Sequence, residues 1–129
     1  MELLFVSNLG MRNSNAIHTE FGFLHGLFED SPKIIPSNID MLYGINGLFL
    51  LAEWKRKDEE ISNGQKILLK SLSKEPNFTV LLINGYSDKQ SAHVDKFYQV
   101  THNSLLYQGN SIETLKSYIK TWYRLAKRI

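Results

Sequence analysis

The 129-residue chain has no cysteine, three prolines and little excess charge, with fifteen basic against thirteen acidic residues giving +2 at pH 7. The absence of cysteine excludes disulfides, thiolate metal sites and a cysteine nucleophile, and suits a reducing compartment. So small a net charge does not announce nucleic acid, and such a partner would have to be met by a local patch. No stretch approaches the roughly 18 apolar residues that span a bilayer. Met1 to Val6 is a short apolar run without a preceding basic region or a small-residue cleavage pattern, so it is not read as a signal peptide. Gly-rich phosphate loops, nucleophile elbows and His-Glu metalloprotease patterns are missing. The four histidines, His18, His25, His93 and His102, show no close metal-ligand spacing. Residues of apolar type make up 43% and charged residues 22%, the balance of an ordered globular protein. The expectation is one soluble, cytoplasmic domain over residues 1–129 with no membrane partner.

What the chain does contain is Asn46-Gly47 between two apolar runs, a strong short-range hairpin signal that favours a two-residue type I′ loop. In that register Ile45 faces Leu48, and counting outward Asp40 faces Glu53. Directly opposed residues hold their Cβ atoms roughly 4.5 to 5.5 Å apart, and strand alternation puts Lys55 on the face of Glu53. Two carboxylates and an amine therefore converge. Opposed like charges destabilise a hairpin unless compensated, and a divalent cation is the obvious compensator. Carboxylate oxygens suit Mg²⁺ or Mn²⁺, completed by waters and substrate phosphates. With a lysine alongside to handle a water, the trio describes metal-assisted hydrolysis of a phosphodiester. An ordinary cross-strand ion pair, in which Lys55 neutralises the acids at a sheet end, accounts for the same residues without chemistry.

Around this hairpin, Ser14 or Asn15 can cap a helix over about 16–29, with Ile17, Phe21, Leu24 and Phe28 as its core stripe. Strands are predicted near 39–44 and 48–55, the second apolar on both faces and hence central in a covered sheet. Ser62-Asn63-Gly64-Gln65 matches a capping box and starts a helix to about Lys74, with Ile61, Leu68 and Leu72 inward. A buried strand follows at 79–83, then a polar, mobile loop at 87–93 and two edge strands at 94–100 and 105–108. Asn110 with Glu113 starts a last helix to about Lys127, with Leu115, Tyr118, Ile119, Trp122 and Ala126 apolar. No repeat, low-complexity tract or linker is present.

Asp40, the twelve-residue gap to Glu53-Trp54-Lys55, the capped helix holding Gln65 and the strand 79–83 together resemble the PD-(D/E)xK nuclease superfamily. The flavour is that of small virus-type replication-repair nucleases and Holliday junction resolvases, and the resemblance covers about half of the chain. It implies an α/β (α+β) fold with a restriction-endonuclease-like core. A mixed central sheet would be flanked by helices in the order α-β-β-α-β, with a C-terminal hairpin and helix appended. It further implies that Asp40 and Glu53 ligate Mg²⁺, for which Mn²⁺ can substitute, with the Trp54 carbonyl as a further ligand. Lys55 would orient or activate the attacking water, Glu20 would supply the acid that many relatives place on the first helix, and Gln65 would match a glutamine found after the lysine. Ile39 stands where the family name has proline, with Pro36 four residues ahead of Asp40.

Arg56 and Lys57 beside the trio are candidates for phosphate contact. Lys116, Lys120, Arg124 and Lys127 share one face of the last helix and could lie along a phosphate backbone, although a solvated face whose cations favour the helix C-terminus explains them equally. The expected activity is that of a Mg²⁺-dependent, structure-selective DNA endonuclease, with two-fold symmetric branched DNA favouring a homodimer, encoded by a virus or phage or by a cell. The competing expectation is a catalytically silent nuclease-fold module that binds DNA or a protein.

Overall fold

The computed structural model describes residues 21–129. The chain parts into two compact units, Met1–Pro36 and Ser37–Ile129. In the first, the predicted helix over 16–29 is not what the described part adopts. Residues from Phe21 onward form a single 3-10 turn, Gly22–Leu24, and Phe21 and Phe28 are exposed rather than core-facing. Gly26 explains the break: it sits at φ +75, a left-handed conformation that ends a right-handed helix. Ile17 and Glu20 lie outside the described residues.

The second unit is an α+β fold: a five-stranded mixed sheet with one helix on each face. Its strands are β1 (Met41–Ile45), β2 (Leu48–Lys55), β3 (Phe78–Ser87), β4 (Ala92–Val100) and β5 (Leu105–Gly109), lying in chain order across the sheet. Only β2 and β3 are parallel. A parallel pair needs a crossover, which helix α1 (Asn63–Ser73) supplies, while the remaining neighbours are joined by short turns.

The hairpin has the expected register, Ile45 facing Leu48 and Met41 facing Ala52. Both Asn46 (φ 52) and Gly47 (φ 80) take the positive φ of a type I′ turn. The Asn46 side-chain amide donates to the Ala126 carbonyl at 3.1 Å, so the turn also satisfies the end of helix α2 (Ile112–Ala126). Leu50, Leu51 and Ala52 are buried on both faces, as their unbroken apolar run foretold.

Alternation along β2 and β3 divides the core in two. Leu50, Ala52, Leu81 and Ile83 pack against Leu115, Trp122 and Ala126 of α2. Leu51, Val80 and Leu82 pack against Leu69 of α1 on the other side. We call these the α2 face and the α1 face.

Three boundaries differ from the sequence expectation. Strand β3 runs through Asn84 and Gly85 to Ser87 instead of ending at Ile83, so the polar stretch after it is a tight turn, not a mobile loop. Asp88 organises that turn by accepting from the backbone N–H groups of Gln90 and Ser91 at 2.8 Å each. Strand β4 lies between β3 and β5 and is interior, not an edge. Helix α2 is capped by Ser111 with Thr114, not by Asn110 with Glu113. The two hydroxyls satisfy each other's backbone donors as Ser and Glu would, at a position where Glu113 stays free in solvent. Among the described residues, no helix is long and apolar enough to cross a membrane.

Between Asn84 and Gly85 the β3–β4 register slips, Asn84 facing Lys96 and Gly85 facing Val94, so Asp95 is the extra residue of a bulge. A Cβ on Gly85 would run into the His93 carbonyl oxygen, which only glycine allows. Gly85→Ala is expected to lower stability by about 1–3 kcal/mol, read as an earlier urea midpoint with an unchanged slope.

Candidate active site at the carboxyl ends of strands β2 and β3

The parallel pair leaves the carboxyl ends of β2 and β3 side by side, the position at which open α/β sheets characteristically bind ligands. There the strands frame a cleft of about 560 Å³ lined by Asp40, Glu53, Lys55, Arg56, Glu59 and Tyr86, among others.

Asp40 immediately precedes β1 and continues its register, which sets it opposite Glu53. It is anchored by the Trp54 N–H, which donates to Asp40 Oδ2 at 2.9 Å. That bond fixes one carboxylate oxygen. Glu53 and Lys55, two residues apart on β2, project from the α1 face beside it and are only 7% and 9% exposed. Lys55 Nζ stands 3.3 Å from Glu53 Oε1. The same oxygen accepts from Gln65 Nε2 at 3.2 Å.

The capping motif explains only part of Gln65. Ser62 does accept from the Gln65 N–H at 3.2 Å, as the motif requires. The Gln65 side chain, however, does not turn back to the cap. It reaches across to Glu53, so the helix start and the carboxylate are held in one network.

Burial is the largest influence on Glu53 and raises its carboxyl above the ordinary value. The facing Asp40 carboxylate raises it further, both by repulsion and by a hydrogen bond that favours the protonated acid. The hydrogen bond and charge of Lys55 pull it part of the way back. Lys55 thus offsets the burial and repulsion at Glu53 only in part.

The donor set consists of hard oxygens, which fits Mg²⁺ or Mn²⁺. Among the described residues no group of three or more His, Cys, Asp or Glu side chains gathers as a metal site; Asp40 and Glu53 are the facing carboxylate pair, and Glu59 also lines the cleft. Two carboxylates suffice for a cation that keeps several waters and is completed by phosphate oxygens.

Of the remaining sequence candidates, Arg56 lines the cleft, and its N–H donates to Glu59 Oε1 at 3.0 Å. Lys57 is exposed on the following connector. Lys116, Lys120, Arg124 and Lys127 are exposed on α2, which packs on the opposite face of the sheet from Glu53 and Lys55. The structure therefore does not bring that stripe to the site. Glu20 lies outside the described residues. The sequence reading missed Asn84, opposite Lys55 on β3, and Tyr86, which lines the cleft. Carrying the alternation Val80, Leu82, Asn84, Tyr86 through Gly85 would have placed both on the α1 face.

Compared with family models, with curated proteins and with solved structures, the chain matches none.

With the folded-state pKa of Glu53 above the unfolded one, folding favours its protonated form. That contribution is fully present below the unfolded value of about 4.3 and is lost as pH rises through the raised folded value. Glu53→Gln imitates the neutral acid. Its stability relative to wild type is expected to improve steadily from about pH 4 to pH 7, measured by urea unfolding across that range. A difference that stays flat with pH would contradict the assignment.

Proposed function

We propose that this chain is a Mg²⁺-dependent endonuclease that hydrolyses phosphodiester bonds in DNA, with a restriction-endonuclease-like core of PD-(D/E)xK type. The observation that carries the reading is the buried Glu53 facing Asp40, with Lys55 and Gln65 both on its Oε1. An antiparallel β1–β2 hairpin followed by α1 and the parallel strand β3 is the order expected of such a core, and supports it.

Asp40 and Glu53 would hold the cation, with the Trp54 carbonyl as a further ligand. When bound, it would polarise the phosphoryl oxygen and acidify a water. Lys55 presents its ammonium to the cleft, where it orients the attacking water and offsets the charge that develops on the phosphate. Gln65 is a positioning residue, since it holds the Glu53 carboxylate and does not itself face the reacting atoms. In the reaction, the water oxygen bonds to phosphorus and the bond from phosphorus to the 3′ oxygen breaks. A proton ends on that oxygen, leaving a 5′-phosphate. Arg56, at the rim, is placed for phosphate contact.

The substrate in this reading is a DNA structure such as a junction, flap or nick. A two-fold symmetric junction would be met by a homodimer. A second reading is a catalytically silent module that binds DNA or a protein, in which Lys55 serves only as the ion-pair partner of Glu53.

Incubation with supercoiled plasmid, linear duplex and a four-way junction in Mg²⁺, Mn²⁺ or EDTA separates them. The expected outcome is metal-dependent cutting that falls about 10²-fold or more in Lys55→Met and about 10- to 100-fold in Gln65→Ala, with circular dichroism unchanged. Calorimetry should show saturable Mn²⁺ binding that Asp40→Asn loses. No cutting and no metal binding by the wild type would transfer the assignment to the silent module.

A further inference from the structure

The face that carries Glu53 and Lys55 continues across β3, β4 and β5 beyond the cover of α1. Its cross-strand rows follow from the pairing. Leu82 faces Tyr98, and Tyr98 faces Tyr107. One step nearer the cleft, Lys55 faces Asn84 and Asn84 faces Lys96. One step beyond, Tyr86 faces His93. Directly opposed residues share a face, so the sheet presents aromatic rings on both sides of Lys96, contiguous with the carboxylate site.

The side chains are arranged to match. Tyr98 and Tyr107 meet edge to face with centroids 6.0 Å apart, and Tyr107 remains 58% exposed. Lys96 Nζ lies 6.0 Å above the Tyr98 ring. Tyr86, 46% exposed at the cleft wall, stacks on His93 at 5.7 Å, and Asp95 is engaged with His93 at 2.7 Å. At the far margin, Lys66 and Lys70 of α1 border a groove of about 250 Å³ floored by apolar residues. The exposed rings of Tyr86 and Tyr107 and the half-buried ring of Tyr98, with Lys96 among them, suit a ligand with flat apolar faces on a polyanionic chain.

We propose that this face binds single-stranded nucleic acid, with unpaired bases stacked on Tyr107, Tyr98 and Tyr86 and the backbone followed by Lys96, Lys66 and Lys70. The identity of the ligand rests on the nuclease reading and deepens it: the substrate would present an unpaired segment next to the scissile bond. Stacking tolerates any base, whereas a fully paired duplex hides the rings' partners.

The test is fluorescence anisotropy of labelled 20-mer oligo(dT), oligo(rU) and a blunt duplex on the full chain in EDTA, which separates binding from cutting. Wild type is expected to prefer either single strand to the duplex. Tyr107→Ala should weaken oligo(dT) binding about tenfold, Tyr107→Trp should retain it, and Lys96→Gln should reduce the salt slope by about 0.7. Tyr123→Ala, exposed on α2 at the opposite face, should change nothing. Single-strand binding unaffected by Tyr107→Ala and Lys96→Gln overturns the proposal, even if the protein cuts DNA. So does a wild type that binds no oligonucleotide but self-associates through Tyr107. Single-strand binding that depends on Tyr107, in a protein that cuts nothing, upholds this surface and fails the nuclease reading alone.

Discussion

The parallel pairing of β2 with β3 is the constraint on which the rest of the structure depends. Two parallel neighbours cannot be joined by a hairpin turn, so the chain must leave the sheet, cross over and return. Helix α1 makes that crossing and covers Leu51, Val80 and Leu82 on one face as it does so. The opposite face of the same two strands then needs its own cover, which the amphipathic α2 provides through Leu115, Trp122 and Ala126. The crossing also delivers Gln65 to Glu53, and it sets the carboxyl ends of β2 and β3 beside one another. A fold requirement has thereby assembled the cluster around Glu53.

That site is not what packing alone would select. Glu53 is buried beside a second carboxylate, and the repulsion and lost hydration that raise its pKa work against the ionised form. Replacing such buried charge by apolar side chains is often neutral or stabilising elsewhere. Retaining two acids with one lysine at the mouth of a cleft fits a site that meets further positive charge, and titratable groups perturbed in this way cluster at functional sites. Tyr86 of β3 and Lys96 and Tyr98 of β4 lie on the same sheet face as Glu53 and Lys55.

The local features were legible because they rest on local physics. Asn46-Gly47 dictated a two-residue turn, the turn dictated a register, and the register alone placed Asp40 opposite Glu53. The apolar run of β2 announced a doubly covered strand, and Ser62 announced the start of α1. The failures have equally definite causes. Gly26 at positive φ interrupts what reads as a helical stripe from Phe21 to Phe28. Asn84-Gly85, beyond the expected strand end at Ile83, lies opposite the Asp95 bulge and the strand runs on through it, since glycine in a strand marks a close backbone approach as readily as an end. The choice of Ser111 over Asn110 as cap turned on a one-residue difference between two competent side chains.

The sequence by itself therefore determined the hairpin, its register, the two helices of the sheet unit and the convergence of Asp40, Glu53 and Lys55, because each depends on residues close in the chain. Tertiary structure alone decided that β2 runs parallel to β3, that β4 is interior, and that the basic stripe of α2 lies across the sheet from the carboxylates. It also decided that Gln65 turns to Glu53 and that Lys96, Tyr98 and Tyr107 share the sheet face of Lys55. These follow from which strand lies beside which and which face each helix covers. No local propensity encodes that choice, because it is made by the burial of two apolar faces at once.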